Sequence, residues 1–445
     1  MKKNLQVLLF VIFILTSHSF YGQLRYLGLE AELSGNPPID RHALLLNPKS
    51  KIIDNYLFVP TWNGIYRKNL DVIENTEWEM YAFKGMPVKD FVKNGSRILA
   101  ITAKTQDSLL LLSNDNGMSY INYTSDHFFE HERDHEYGHV NHLYRISQNP
   151  QNPNSVIVLH AFYGISKSTD FGLTWRNLST VIGNYQERFV DFHPTDTATM
   201  YYAGENMIFA SYIRASFDDG LTWSEVDNIY LGDNCTHYLA FHPTNPNIIL
   251  TAGEGRITKS VNKGVSWNLI PYLNDGEDRF KLYLSKIIYN NANPDILYTT
   301  GYGSYSNDSV QIYKSTDGGE YWSLSYKEYL KDCGGILDFF QYQNRLILVT
   351  MNRGVYQLNL DLLSHVQLPN LQSIDIYPNP VADGFYVNGL THSAQLALVD
   401  ASGYRIFSKQ VVNGEYIHVN FLPQGLYILE LTTDRGIIRR KIIKN

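Results

Sequence analysis

One eight-residue pattern occurs five times in this chain and constrains its fold more than any other feature. It reads Ser-x-Asp-x-Gly-x-(Ser/Thr)-(Trp/Tyr), with small departures such as Asn for Asp in one copy. Successive copies lie roughly 50 residues apart, a period typical of propellers and solenoids, in which one repeat cannot bury its own apolar face. The copies are Ser113–Tyr120, Ser168–Trp175, Ser216–Trp223, Ser260–Trp267 and Ser315–Trp322.

The acidic and glycine positions of the pattern predict a tight loop between two strands. A carboxylate there accepts backbone N–H groups across the turn, and glycine adopts the positive φ that the turn needs. The pattern resembles the Asp-box, or BNR repeat, of sialidases, sortilin-type receptors, xyloglucanases and photosystem assembly propellers. In that family the box is a structural fastener on the side away from the active site. The resemblance therefore implies a structural role for Asp115, Asp170, Asp218, Asn262 and Asp317.

Reading outward from the boxes gives a longer unit of four apolar strands separated by Pro/Asn and Gly turns, which predicts an all-β fold. Two units without a box flank the five, at Leu44–Tyr81 and Gly334–Leu363. The expected fold is a seven-bladed β-propeller over residues 23–367. Residues 24–28 are expected to supply the outer strand of the last blade and so close the ring.

The N-terminus has the features of a secretory signal peptide over residues 1–22. Lys2 and Lys3 precede an apolar stretch that is too short to span a bilayer, and no later stretch approaches that length. The net charge of −7 comes without a basic block, which argues against a nucleic-acid partner. Cys235 and Cys333 are expected to be two free thiols. We expect an exported, monomeric protein without a transmembrane segment.

The C-terminal segment changes character after a short linker at residues 368–372. It opens on Tyr377-Pro-Asn-Pro380, continues through Asp400-Ala-Ser-Gly403 and Leu422-Pro-Gln-Gly-Leu-Tyr427, and ends in a basic strand. This ordered set resembles the type A sorting domain of the type IX secretion system of Bacteroidota, over residues 373–445. The resemblance implies a small β-sandwich, an interaction with the secretion machinery, and a product that is attached to the surface or released.

The propeller end opposite the boxes is where a ligand is expected. Two rings of residues are predicted there, one at the starts of the inner strands and one in the loops between the second and third strands. Aromatic faces and polar side chains in such a mouth suit a glycan, although polar residues also line channels that bind nothing. The candidates are His42, Trp62, His142, Tyr163, Arg188, His237, Tyr302 and Arg353.

Glu205 and Glu254 occupy matching loops of adjacent blades and are the candidates for an acid–base pair. Such a pair would make the chain a glycoside hydrolase, provided that the two carboxylates lie at a glycosidase spacing. The favoured interpretation is that both glutamates simply cap a Gly-Glu turn. The Arg-Ile-Pro motif of sialidases is absent, and the catalytic pair of the two-propeller xyloglucanases is not recognisable. The leading hypothesis is a module that binds a glycan or a protein; the alternatives are a glycoside hydrolase and a non-catalytic adhesion or scaffold protein.

A histidine-rich segment at residues 126–142 joins two blades. If its first part is helical, His127, His131 and His135 share one face and could bind a transition metal through neutral imidazoles. The spacing is not that of a zinc protease, and a solvated loop is the favoured interpretation. No cofactor is predicted.

Overall fold

The computed structural model describes most of the chain as β-structure. The described residues are 24–34, 49–74, 76–102, 110–123, 143–160, 164–179, 186–205, 211–225, 236–253, 257–270, 282–303, 309–364, 375–390, 393–400, 405–433 and 436–445. The chain divides into two compact units, the first ending at Leu363 and the second beginning at Ser364 in its main part.

The first unit begins with β1 (Arg25–Gly28) and the short helix α1 (Glu30–Ser34). Six four-stranded antiparallel sheets follow, each a simple meander. Blade 1 contains β2 (Lys51–Ile53), β3 (Tyr56–Thr61), β4 (Gly64–Asn69) and β5 (Glu79–Ala82). Blade 2 contains β6 (Val88–Asn94), β7 (Arg97–Thr102), β8 (Leu110–Ser113) and β9 (Ile121–Asn122). Blade 3 contains β10 (Leu143–Gln148), β11 (Val156–His160), β12 (Gly164–Ser168) and β13 (Arg176–Ser179).

The remaining blades repeat the same order. Blade 4 contains β14 (Gln186–Phe192), β15 (Met200–Glu205), β16 (Ser211–Ser216) and β17 (Ser224–Glu225). Blade 5 contains β18 (Thr236–Phe241), β19 (Ile249–Gly253), β20 (Ile257–Ser260) and β21 (Asn268–Ile270). Blade 6 contains β22 (Leu282–Tyr289), β23 (Leu297–Gly303), β24 (Ser309–Ser315) and β25 (Ser323–Tyr329). Blade 7 contains β26 (Ile336–Tyr342), β27 (Arg345–Thr350) and β28 (Val355–Asn359), and the short helix α2 (Asp361–Ser364) follows it.

The N-terminal strand closes the ring. β1 pairs antiparallel with β28, with Tyr26 opposite Tyr356, so that blade 7 takes its outer strand from the start of the chain. The indole N–H of Trp78 in blade 1 donates to the carbonyl of Leu27 at 2.7 Å and ties this strand to the next blade. The expected seven-bladed propeller and its closing strand are both confirmed.

The hydrophobic core of the propeller is divided among the seams between blades. Each of seven clusters joins residues of two neighbouring blades; in one, Val92 and Leu99 of blade 2 meet Ile146 and Val158 of blade 3. The second strands are buried on both faces, as in β11, whereas outer strands such as β9 are exposed. Strands covered on both faces become nearly continuous apolar runs, which is why the sequence marks the second strands so clearly.

The second unit has a core of its own. Its seven strands are β29 (Asp375–Tyr377), β30 (Gly384–Asn388), β31 (Ala394–Val399), β32 (Arg405–Val411), β33 (Glu415–His418), β34 (Gly425–Thr433) and β35 (Gly436–Lys444). They form one sheet in the order β29-β30-β33 and a second in the order β32-β31-β34-β35. Phe385, Leu396 and Leu429 are among the fully buried residues.

Candidate functional site

The five repeats form hairpin loops between the third and fourth strands of blades 2 to 6, and we call them the box hairpins. In the hairpin at Ser216–Trp223, the Ser216 hydroxyl donates to Asp218 at 2.8 Å and accepts the N–H of Gly220 at 2.8 Å. Asp218 also accepts the N–H of Thr222 at 2.9 Å and its hydroxyl at 2.6 Å. The Asp218 carboxylate thus accepts three hydrogen bonds from its own loop.

The other box carboxylates are held in the same way. Asp115, Asp170 and Asp317 each accept a serine hydroxyl and the N–H four residues ahead, and the side chain of Asn262 does the same. Hydrogen bonds from the Ser119 side chain and backbone lower the pKa of Asp115 to about 2, and those from Thr222 lower the pKa of Asp218 to about 2. In all five hairpins the side-chain oxygen at this position therefore serves the turn itself.

The box hairpins share one end of the propeller with the turns between first and second strands. The N–H of Asp219 donates to the carbonyl of Ala198 at 2.9 Å, and that of Lys263 donates to Asn247 at 3.0 Å. Each bond joins a box hairpin to a Pro/Asn turn of the same blade. Since the loops between second and third strands leave from the other end, a ligand that avoids these bonded turns must approach there.

Two turns at that opposite end are described, and they hold two of the predicted ligand residues. Trp62 lies in the turn between β3 and β4, where the Thr61 hydroxyl donates to the carbonyl of Gly64 at 2.9 Å. Its indole is half-buried. Arg353 lies in the matching turn of blade 7, and its guanidinium forms an ion pair with Glu30 of α1 at 2.7 Å. The equivalent turns therefore present an aromatic side chain in one blade and a paired cation in another.

Several predicted residues fall where little can be described. His42, His142, Tyr163, Glu254 and the three histidines 127, 131 and 135 lie outside the described residues. Arg188 and His237 each lie at a register shift of an inner strand, between Glu187 and Phe189 and between Thr236 and Tyr238. Glu205 ends β15, and Tyr302 pairs with Tyr283 in blade 6. Only the backbone of these four residues is described.

The inner strands carry a feature that was not predicted from the sequence. In blades 2 to 7 the register with the second strand shifts near the start of the inner strand, which marks a bulge. The residue after each shift occupies the same structural position in these six blades. Lys49 of blade 1 lies just before β2 and interacts electrostatically with four of these residues. We call this set the channel ring. Its members are Lys49, Asp90, Arg145, Phe189, Tyr238, Lys286 and Asp338.

Two cations at the channel are neutralised by carboxylates of the ring. Lys51 of β2 lies 3.2 Å from Asp90, and Lys286 lies 3.1 Å from Asp338. Asp90 is only 1% exposed and also accepts the N–H groups of Phe91 and Ile146, at 2.8 and 3.2 Å. Both carboxylates therefore contact neighbouring blades. Asp90 of blade 2 contacts Lys51 of blade 1 and Ile146 of blade 3, and Asp338 of blade 7 contacts Lys286 of blade 6.

The other two cations of the ring, Lys49 and Arg145, have no carboxylate within ion-pair distance among the described residues. Nε and Nη1 of Arg145 are buried without a hydrogen-bond acceptor in the described part of the chain, and its guanidinium lies over the Phe189 ring at 5.2 Å. Burial, and then the charge of Arg145, lowers the pKa of Lys49 to about 8. The ring is thus incompletely neutralised at these two residues.

Asp191 is a further carboxylate of the inner strands. It accepts the hydroxyl of Ser147 and the N–H of its neighbour Phe192, the latter at 2.9 Å. Burial raises the pKa of Asp191, and the charge of Arg145 opposes that shift.

A sequence signal for the channel ring did exist. Two charged members of the ring interrupt apolar runs, Arg145 between Tyr144 and Ile146 and Asp338 between Leu337 and Phe339. Single charges inside apolar strands are rare unless paired or functional. These two interruptions were a signal for the shared position, whereas the other charged members have polar or proline neighbours in the sequence.

The described residues contain no group of three metal-ligating side chains. They also contain no helix long and apolar enough to cross a bilayer. Of the two cysteines, Cys333 is buried and its sulfur accepts the N–H of Gly335 at 3.4 Å, and Cys235 lies outside the described residues.

Residues 375–445 match the family model described as the secretion system C-terminal sorting domain. The chain ends in a type IX sorting domain. The sorting domain directs the protein through type IX secretion to the cell surface or the extracellular space, as the C-terminal motifs predicted. No curated protein matched the sequence.

Solved structures similar to the chain are propellers of diverse function. The GH74 xyloglucanase from Xanthomonas campestris has a TM-score of 0.56 and 12% identity, over 82% of this chain and 59% of the xyloglucanase chain. YCF48 bound to D1 peptide has a TM-score of 0.50 and 14% identity, over 77% of this chain and 98% of the YCF48 chain. A chain of the mitotic checkpoint complex has a TM-score of 0.51 and 11% identity, over 77% of this chain and 97% of the other. At these identities the similarity shows the fold alone.

Proposed function

We propose that this chain is a secreted or surface-displayed binding protein that takes a glycan or protein ligand at the propeller end opposite the box hairpins. The observation that carries the proposal is the unneutralised part of the channel ring. Leaving buried donors without a partner costs about 1–3 kcal/mol, and more when they are charged. Nε and Nη1 of Arg145 are buried without an acceptor among the described residues, and a ligand at the mouth would supply acceptors for them.

The contrast between the two ends of the propeller supports ligand binding at the end opposite the box hairpins. The box carboxylates accept hydrogen bonds within their own hairpins. The inner strands begin at the other end, so Lys49 and Arg145 lie toward its mouth, and Trp62 supplies a half-buried aromatic face there. His42, His142, Tyr163, Arg188, His237, Tyr302 and Arg353 remain candidates for contacts around the same mouth.

Glycoside hydrolysis is the alternative function, and the experiment described next distinguishes it from binding alone. Glu205 and Glu254 remain its candidate acid and base, and two carboxylates for this reaction must lie about 5–5.5 Å apart in retaining enzymes or about 6.5–9.5 Å apart in inverting ones. The similarity to a xyloglucanase contributes the fold only. A scaffold protein that uses the blade rims would show neither hydrolysis nor dependence on the mouth.

The test measures both binding and turnover with the secreted protein. It is incubated with plant, algal and host polysaccharides and with surface proteins, and both retained ligand and released reducing ends are measured. We expect binding without release, weakened about fivefold or more in Trp62→Ala, because a stacked aromatic contributes about 1–3 kcal/mol and about 1.4 kcal/mol corresponds to a tenfold change in affinity. The matched control is Leu221→Ala, a residue 68% exposed on a box hairpin.

Each outcome has a distinct meaning. Release of reducing ends that disappears in Glu205→Gln or Glu254→Gln would replace the binding function with hydrolysis. Binding that is lost in Leu221→Ala and kept in Trp62→Ala would place the ligand at the box hairpins and overturn the proposal.

A further inference from the structure

We infer that the ligand carries an oxyanion, a carboxylate or a sulfate on an acidic glycan, and that this group binds at the channel mouth between Lys49 and Arg145. The inference rests on the proposed function and names the chemical class of ligand at the same site. It concerns two cations from blades 1 and 3 that the fold brings to one ring.

The charge arrangement around the ring supports an anion rather than a neutral group. Lys51 and Lys286 each lie within 3.2 Å of a carboxylate. Among the cations of the channel ring, Lys49 and Arg145 are the two without an ion pair to a described residue. Both interact electrostatically across the ring, since Arg145 is a neighbouring charge that lowers the pKa of Lys49. An oxyanion between them would relieve this repulsion and supply acceptors for Nε and Nη1 of Arg145.

The geometry of Arg145 favours an oxyanion over a lone acceptor atom. Nε and Nη1 of Arg145 are the two atoms without a partner, and their N–H bonds leave different edges of the guanidinium. Satisfying both takes more than one acceptor oxygen, which a carboxylate or a sulfate supplies. The Phe189 ring under the guanidinium holds its plane at 5.2 Å, so the donors are fixed before a ligand arrives.

Aromatic side chains beside the cations favour a sugar as the carrier of the anion. Phe189 and Tyr238 belong to the channel ring, and their rings lie 6.1 Å apart in an edge-on arrangement. Half-buried Trp62 lies at the same end of the propeller. Sugar rings present C–H-rich faces to such aromatics while their carboxylate or sulfate groups reach the cations.

The site should respond to pH through Lys49. The charged groups that face it are Arg145 and Lys286, which lower its pKa, and Asp338 and Asp90, which raise it. With a pKa of about 8, Lys49 loses its charge as the pH rises through 8, and a bound anion favours the protonated form. Affinity for the acidic glycan should therefore fall as the pH is raised from about 7 to about 9, and the fall should disappear in Lys49→Gln.

The decisive experiment measures affinity of the secreted protein for matched acidic and neutral oligosaccharides by calorimetry. The probes are an oligogalacturonate, a sulfated oligogalactan, a neutral oligoglucan and inorganic sulfate. We expect Arg145→Gln and Lys49→Gln each to lose at least tenfold affinity for an acidic probe. The matched control is Arg176→Gln in the same blade, an exposed arginine beside a box hairpin, which removes the same charge from the other end and should change affinity less than twofold.

The controls separate this inference from the proposed function. Thermal unfolding monitors folding, and Lys49→Gln keeps the test valid should Arg145→Gln fail to fold, since Lys49 makes no side-chain hydrogen bond in the described part of the chain. Binding of the neutral probe as tightly as the acidic ones would overturn the anion site and leave the proposed function standing. Binding of inorganic sulfate that needs Arg145, without any gain from sugar, would keep the anion site and overturn the glycan. An acidic peptide that binds with the same dependence would also overturn the glycan assignment.

Discussion

At the scale of the residue, the box carboxylates show how hydrogen bonds to residues nearby in the chain hold a side chain in place. Asp218 accepts three hydrogen bonds from residues within four positions of it. Asn262 holds the same place with an amide, which donates to Ser266 at 2.9 Å where the carboxylates accept a hydroxyl. The box therefore needs the acceptor oxygen that takes the backbone N–H, and the charge adds a dependence on pH.

Asp218→Asn should weaken the dependence of the protein's thermal stability on pH in the acid range. The pKa of Asp218 is about 2 in the folded protein, below its usual value of 3.8, so its contribution is complete above about pH 4 and is lost as the pH falls toward 2. The thermal midpoint of the variant should lie below that of the parent near pH 5, and the gap should narrow with acidification. Thermal unfolding followed by circular dichroism between pH 5 and pH 2.5 measures this.

The control removes the same charge from Asp54, whose carboxylate has no hydrogen bond in the described part of the chain. The result would contradict a pH-dependent contribution from Asp218 in either of two cases. The difference in thermal midpoint between Asp218→Asn and the parent could stay constant with pH, or the difference for Asp54→Asn could narrow equally.

The candidate site was only partly predictable at this scale. Trp62 and Arg353 were predicted from the alignment of turns, and both lie in turns at the expected end. The pairing of Arg353 with Glu30 was not predictable, because α1 is far from blade 7 in the sequence and reaches it only through ring closure. The roles of the other predicted residues stay predictions.

At the scale of the element, a box hairpin also acts on the preceding blade. The glycine of each hairpin has a positive φ and lies against a neighbouring side chain, as Gly220 does against Leu178 and Gly319 against Leu250. In blade 2 the contact is with backbone: a Cβ on Gly117 would lie 2.3 Å from that of Ala82 and 2.7 Å from its Cα. The glycine therefore serves both the turn and the seam between blades.

Gly117→Ala should destabilise the propeller more than the turn conformation alone explains. The positive φ of 82° costs an alanine roughly 1–2 kcal/mol, and overpacking against Ala82 adds about 1–3 kcal/mol. Gly85→Ala is the matched control, because Gly85 has a φ of 81° and open space where its Cβ would lie. Urea unfolding followed by tryptophan fluorescence compares the two. Equal losses in both variants would show that the seam contact contributes nothing.

At the scale of the whole molecule, the chain combines a closed ring with a separate export unit. The ring has no long free edge, because β1 pairs with β28. The sorting domain has its own core, and its last strand, β35, pairs along nine residues with β34. Each unit thus has the packing that an independent fold requires.

Removal of residues 375–445 should stop the protein from reaching the cell surface or the medium while leaving the propeller folded. The matched residues of the sorting domain are the part that the secretion machinery reads. Fractionation of cells that express the full and the shortened chain measures this, with a periplasmic protein as the marker of leakage. A milder deletion, of residues 436–445, removes only β35 and should have the same effect because that strand completes the sheet. A shortened chain that still appears in the medium would contradict a sorting role.

The sequence by itself determined the repeat, the number of blades, the closing strand and the sorting domain. These depend on turn chemistry and apolar strands, which act between residues close in the chain, as in the hydrogen bonds of Asp218. Only the tertiary structure decided the channel ring. Lys49 and Arg145 belong to different blades, and their electrostatic coupling depends on distance and burial, which exist only once seven blades close around one axis.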